Sequence, residues 1–275
     1  MEFLTEDAPV RGNVLPVLPG IARIVAPNPG PMTYHGTNTY LIEGDDGFSV
    51  LDPGPDNAAH VQAILAATGG RIARILLSHT HLDHLGAVPA LKAATGVPAY
   101  GYHTPSVPHF SPDIPLHDND VVAGWTALHT PGHAADHLAF ARDGVVFTAD
   151  HVMSWSSSVV SPPDGDMTAY FASLHRLLAR SDDVFLPGHG PPITAPRDFA
   201  QGLLEHRTTR ETMILKALSD TPKTAAALVP RIYGPIDPRL VGAAARNVTA
   251  HLHKLRNEGR AEEADGGWRV RTTNG

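Results

Sequence analysis

Residues 79–84 read His-Thr-His-Leu-Asp-His and lie just after the apolar run Ile72-Ala73-Arg74-Ile75-Leu76-Leu77. Three imidazoles and a carboxylate in so short a stretch limit what the chain can become. A buried strand ending in a tight turn aims such side chains at one point, so a sheet must stand behind them. Neutral imidazole and carboxylate bind zinc, iron or manganese without thiolate. The chain has no cysteine, so any metal site is built from nitrogen and oxygen. A cluster this small cannot close two coordination spheres, and partners are needed downstream. Three candidates stand out: His133 in Thr130-Pro131-Gly132-His133, Asp150 in Phe147-Thr148-Ala149-Asp150, and His189 in Pro187-Gly188-His189-Gly190. Each sits at the end of a predicted strand or in the Gly/Pro loop after one, where a sheet scaffold carries functional groups.

In this order and these contexts, His79, His81, Asp83, His84, His133, Asp150 and His189 resemble the ligand set of the metallo-β-lactamase-fold hydrolases. The resemblance implies that His79, His81 and His133 hold one metal and that Asp83, His84 and His189 hold a second. Asp150 would bridge the two, and Asp83 and Asp150 would be the catalytic carboxylates. It implies two divalent ions ~3.5–4 Å apart, sharing a hydroxide whose parent water has a lowered pKa. Zinc is the expected metal, because it outcompetes iron and manganese at such sites. No side-chain nucleophile is required, and the chain shows no Gly-x-Ser-x-Gly elbow. Asp150 favours the thioesterase, lactonase and phosphodiesterase branches over true β-lactamases, which usually lack this carboxylate. Ala149 departs from the family, where glycine often precedes the aspartate. His137 reads equally well as a partner orienting a ligand or as an ordinary strand histidine.

A chain of 275 residues accommodates one sizeable domain and a small one. Its 42% apolar and 18% charged content is that of a soluble globular protein. There is no long apolar run, so no membrane span is expected. The acidic start, Met1-Glu2-Phe3-Leu4-Thr5-Glu6-Asp7, lacks the apolar region of a signal peptide. With no cysteine, a cytoplasmic location is expected. The net charge of −7 is uneven: residues 1–200 carry 9 Lys/Arg against 20 Asp/Glu, and residues 201–275 carry 12 against 8.

Strands are predicted over 13–17, 21–25, 38–42, 48–52 and 71–77, and again near 97–102, 120–129, 137–142 and 145–149, with a short one at Val184-Phe185-Leu186. Helices are predicted over 57–67, from about Gly86 to Ala94, and around Tyr170, Leu174 and Leu177. The pattern is two β-rich halves with helices outside, and it fits the α/β class and the four-layer αββα sandwich that the resemblance implies. The segments Asn28-Pro29-Gly30-Pro31-Met32 and Gly36-Thr37-Asn38-Thr39-Tyr40 narrow the resemblance to the β-lactamase-like protein 2 group. After residue 200 the character changes. Helices over 201–218, to about Tyr233, and over 239–257 precede a hairpin through Asp265-Gly266-Gly267, which resembles a winged helix. Two domains are therefore expected, 1–200 and 201–275.

The third C-terminal helix offers Arg239, Arg246, His251, His253, Lys254 and Arg256, which reads either as a nucleic-acid surface or as a module that packs on the hydrolase and shapes its pocket. Trp155 and the serines of 154–158 form a long loop that either covers substrate or is a plain connection. The leading expectation is a phosphodiesterase or endoribonuclease acting on single-stranded RNA. The alternatives are a carbonyl hydrolase (thioesterase, lactonase or β-lactamase) acting on a small molecule, and a nucleic-acid-binding regulator with a vestigial hydrolase domain.

Overall fold

The computed structural model describes residues 2–271. Seven strands form one sheet in chain order: β1 (Leu15–Leu18), β2 (Ile21–Val25), β3 (Asn38–Gly44), β4 (Gly47–Leu51), β5 (Ile72–Leu76), β6 (Ala99–Tyr102) and β7 (Ile114–Leu116). The first four pair antiparallel, and β4 to β7 run parallel. Parallel neighbours need crossovers. Helix α1 (Ala58–Thr68) supplies the first, and α2 (Leu82–Leu85) with α3 (Val88–Thr95) the second. Asn57 caps α1 by accepting from the His60 amide, and Gly69 ends it at φ 57.

The second sheet has the order β12-β11-β10-β9-β8. Its strands are β8 (Val121–Val122), β9 (Trp125–His129), β10 (Leu138–Arg142), β11 (Val145–Ala149) and β12 (Val184–Pro187), with α4 (Met167–Leu178) crossing between the last two. The inner faces meet in one core, where Tyr40, Leu51 and Leu76 face Trp125, Phe140 and Phe147. Outside the first sheet, Ile24, Leu41 and Val50 pack on Val61, Ile64 and Leu91 of the helices. Outside the second, Leu128, Ala139 and Val146 pack on Tyr170, Leu174 and Leu203. This is the expected αββα sandwich.

Two local expectations change. The single strand predicted over 120–129 is a tight hairpin, because Ala123 and Gly124 both adopt positive φ (49 and 79) and reverse the chain. The metal motif does not end in a plain turn: its last residues form α2, and α3 starts separately at Val88.

Helix α5 (Pro196–Ala217) starts earlier than predicted, with proline in its first turn where no amide partner is needed. It runs through the expected division at residue 200. Phe199 and Leu203 join the sandwich core, while Ile214 belongs to the C-terminal core. That second core joins α6 (Ala225–Tyr233), α7 (Val241–Asn257) and the hairpin β13 (Ala261–Ala264) and β14 (Gly267–Val270) around Leu228, Val248, Leu252 and Trp268. Among the described residues, no helix is long and apolar enough to cross a membrane.

Candidate metal centre

The sandwich brings all seven predicted ligands to one edge, where the two sheets meet. The Leu138 amide of β10 donates to the Ser78 carbonyl (2.6 Å), joining the sheets beside the motif. Asn38 of β3 reaches across to the β12 loop and donates to the carbonyls of Pro187 and Gly190 (both 2.9 Å), which fixes the turn that carries His189. Asp136 accepts from Thr80 Oγ1 (2.5 Å) and the Ser106 amide (2.9 Å), pinning the loop between His79 and His81. Ala149 sits in the left-handed region at φ 41, which explains why glycine suits this place.

Two groups of donors form. His79 Nε2 and His133 Nε2 each lie 2.9 Å from His81 Nδ1. Asp83 Oδ2 lies 3.3 Å from His189 Nε2 and 3.6 Å from His84 Nε2. Asp150 reaches both groups: its Oδ2 is 3.6 Å from His133 Nε2, and its Oδ1 is 3.4 Å from His189 Nε2 and 3.5 Å from His84 Nε2. Gly188 makes room for it, since a Cβ there would stand 2.4 Å from Asp150 Oδ1.

The outer hydrogen bonds decide which nitrogens face inward as lone pairs. A carbonyl can only accept, so His133 Nδ1 donates to Val159 O (2.7 Å) and His189 Nδ1 donates to Gly36 O (3.2 Å). In the neutral rings that leaves both Nε2 atoms bare. Asp52 does the same for two more ligands. Its Oδ2 accepts from His84 Nδ1 (2.8 Å) and from Ser78 Oγ (2.6 Å), so Ser78 Oγ must in turn accept from His79 Nδ1 (2.9 Å). Its Oδ1 accepts the Ser78 amide (2.8 Å). The sequence alone places Asp52 only at the end of the predicted strand 48–52. A carboxylate at a strand end before Pro-Gly, on the strand beside the motif, is the signal that identifies it.

Converging bare nitrogens repel unless a cation lies among them, and three buried inward atoms, His84 Nε2, His189 Nε2 and Asp150 Oδ1, find no protein partner. The electrostatics agree. Burial, helped by neighbouring imidazoles, holds His79 well below the usual histidine range and brings His133 down to about 4, so both are neutral ligands. Burial also works against charge on His84 and His189. Asp83, Asp150 and Asp52 overcome it and raise His84 well above the usual range, and Asp150 with Asp83 raises His189 to about 9. Burial opposes ionisation of Asp83 too, yet His84 and His189 hold it at about 2. The carboxylates draw positive charge to this spot, and a divalent ion would displace the protons held there. The donor set fits nitrogen/oxygen-ligated divalent metals, with Asp150 placed to touch both groups.

His137 lies buried just before β10, and its Nδ1 pairs with Thr130 Oγ1 (2.8 Å). A cleft of about 550 Å³ opens over the centre, lined by His81, Asp83, His133 and Asp150 and rimmed by Asp164 and Arg246.

A family profile described as the Metallo-beta-lactamase superfamily matches residues 32–115, and one described as the Beta-lactamase associated winged helix domain matches residues 224–268. The chain is 30% identical over 263 residues to the Beta-lactamase-like protein 2 homolog of Drosophila melanogaster, spanning 87% of this chain and 89% of that protein. The chain belongs to the metallo-β-lactamase superfamily. It is also 31% identical over 233 residues to an atrochrysone carboxyl ACP thioesterase of Passalora fulva, spanning 78% of this chain and 68% of that one. A metallo-beta-lactamase family protein from Thermus thermophilus superposes with a TM-score of 0.77 at 25% identity, over 92% of this chain and 99% of that one. A shorter protein solved in a di-iron-bound form aligns at 32% identity and TM-score 0.54, over 62% of this chain and 94% of its own. As a member of the superfamily, the chain is a metal-dependent hydrolase with a C-terminal winged helix.

Proposed function

We propose that this hydrolase cleaves a thioester of a small molecule, with the scissile carbonyl at the metal centre and an apolar acyl group beneath the C-terminal module. The observation that carries this reading is a groove of about 160 Å³ beside the metal cleft. Met32, Met153 and Trp155 form one wall, and Tyr233, Ile236 and Leu240 form the other. Met32, Met153 and Val159 line both groove and cleft, so the two spaces adjoin. An apolar group buried there gains about 0.8 kcal/mol per methylene, whereas a ribose–phosphate chain gains nothing. The thioesterase name carried by the Passalora fulva relative supports the same chemistry.

The RNA reading has less support. It rests on the basic residues of α7 and of the turn before it, and most of these are engaged. Lys254 pairs with Glu211 (2.9 Å) and Glu258 (2.6 Å), Arg239 with Asp237 (2.7 Å), and Arg256 approaches Glu263 (3.9 Å). His251 is buried against Glu211, and His253 packs on Trp268.

His79, His81 and His133 would hold one ion, Asp83, His84 and His189 the other, and Asp150 would touch both. Bound there, two divalent ions, zinc or iron, would supply a nucleophile at neutral pH and a Lewis acid for the carbonyl. Asp83 is the more open of the two carboxylates, 29% exposed against 8% for Asp150. It lines the cleft and is placed to take up the proton released on attack. Arg246 at the rim is exposed and makes no ion pair among the described residues.

The test is a panel of acyl thioesters of increasing chain length, a lactone, a β-lactam and a single-stranded RNA. The thioester reading expects kcat/KM to rise roughly fourfold per methylene until the groove is full. Cleavage of RNA in preference to every thioester, with no chain-length dependence, would replace it.

A further inference from the structure

The loop between β11 and α4 runs over residues 150–166 and contains no helix or strand. Such a loop is fixed only by what ties it down. Two consecutive residues within it bond to residues of the metal centre on one side. Ser158 Oγ donates to the Asp150 carbonyl (2.5 Å), and Val159 O accepts from His133 Nδ1 (2.7 Å). The other side of the same segment is clamped by α5 and α7. Arg207 donates to the Ser158 carbonyl, and the Val160 amide donates to Asn247 Oδ1 (2.9 Å).

The clamp is itself built and buried. Arg207 is 1% exposed and Asn247 6%. Arg207 Nη1 donates to the same Asn247 Oδ1 (3.3 Å), and its guanidinium lies 4.9 Å over the Tyr170 ring. Tyr170 OH donates to the His151 carbonyl (2.9 Å), next to Asp150. Every route from the clamp therefore ends on the backbone beside Asp150 or on the acceptor that sets the His133 ring.

We propose that Asn247 and Arg207 are positioning residues of the metal centre. Docking of the C-terminal module through them would fix Ser158–Val160 and hence the aim of His133 and the seat of Asp150. The module then belongs to the metal site even though it contributes no ligand. A ring whose Nδ1–H partner is lost turns freely and no longer presents a bare Nε2, which typically costs 10–100-fold in metal affinity. The loss should fall on the group containing His79, His81 and His133, because in the other group His84 and His189 are held by Asp52 and Gly36 instead.

The experiment compares Asn247→Leu, which keeps the size and removes the acceptor, with Asn247→Asp, which keeps an acceptor. Metal affinity is read by competition with a chromophoric chelator, and site geometry by the visible spectrum of the cobalt-loaded protein. In metal-free protein, the His133 Nδ1–H proton is followed by NMR for exchange with water. Asn247→Leu should weaken one of the two ions about 10–100-fold, shift the cobalt bands and speed that exchange, while Asn247→Asp stays within about threefold of the parent. Should Asn247→Leu fail to fold, Arg207→Lys loses the forked contact to Ser158 and Asn247 and carries the same readings. Wild-type affinity and an unchanged spectrum in a folded variant would overturn the proposal, as would equal damage from Leu and Asp at 247. None of these readings depends on the substrate, so the thioester reading can fail while this one stands.

Discussion

Replacing Asp52 by Asn should disable both groups of ligands without disturbing the fold. Asp52 is 2% exposed and sits at φ 52, a conformation that asparagine tolerates, so the backbone need not move. The carboxylate accepts three hydrogen bonds, and an amide has one oxygen. The Ser78 amide cannot rotate, so the Asn oxygen must take the Oδ1 position and its NH2 the Oδ2 position. That NH2 then faces His84 Nδ1 and Ser78 Oγ, which lie 2.8 and 2.6 Å from Oδ2. Both must now accept. The His84 proton moves to Nε2, and Ser78 Oγ turns its own proton to His79 Nδ1, sending that proton to Nε2 as well. One metal-facing nitrogen in each group is thereby protonated. At about 10–100-fold per misdirected ligand, loading of both ions should weaken by about 10²–10⁴ overall. Any buried donor left unpaired adds about 1–3 kcal/mol of destabilisation. Chelator competition measures the first quantity and urea unfolding of the metal-free protein the second. If Asp52→Asn loads two ions as tightly as the parent, the tautomer argument fails.

Gly188→Ala should cut turnover about 100-fold by pushing a Cβ into Asp150 Oδ1, and Asp150→Ala should cost orders of magnitude together with metal content; activity and metal analysis check both. Glu211→Gln tests the interior of the C-terminal module: burial opposes its ionisation, but hydrogen bonds from His251 and Lys254 hold it at about 2. A depressed carboxyl contributes stability above its ordinary value near 4.5 that is lost as pH falls toward 2. The parent should therefore exceed the variant by at most about 3 kcal/mol at neutral pH, and urea unfolding should show the gap closing by about pH 2. Arg246→Glu should raise KM for thioesters with an anionic group near the cleft and leave neutral ones unchanged; equal KM values for both classes would remove Arg246 from substrate binding.

The candidate ligands were legible in the sequence because metal chemistry restricts residue type so severely. Few side chains serve, and His79, His81, Asp83 and His84 are local enough to read as one unit. Strand periodicity likewise exposes both sheets, since each inner face must be apolar. The rest depends on long-range contacts that have no local signature. Asp52 lies 32 residues from His84, and Asn247 lies 87 from Val160. Neither has an unusual neighbourhood in the chain. The hairpin at Ala123-Gly124 was hidden for a different reason. Apolar residues on both sides read as one continuous run, and a positive φ at alanine is something composition does not announce.

The C-terminal charges show how much composition alone leaves open. Residues 201–275 carry a formal excess of four positive charges, and a basic third helix in a winged-helix pattern suggests a nucleic-acid surface. Burial reassigns those charges. Glu211 of α5 gathers Lys254, Arg260 and His251 around one carboxylate, and Lys254 also lies 4.9 Å over Phe171 of the hydrolase. Lys254 ties α7 to α5 and α4. A phosphate chain would have to compete with Glu211 for Lys254 and Arg260. The same helix turns Asn247 inward to the loop behind His133, while Arg246, one residue earlier, rims the cleft. On this geometry α7 lines the groove beside the cleft and touches the loop behind His133, with Arg246 the cation of α7 that rims the cleft.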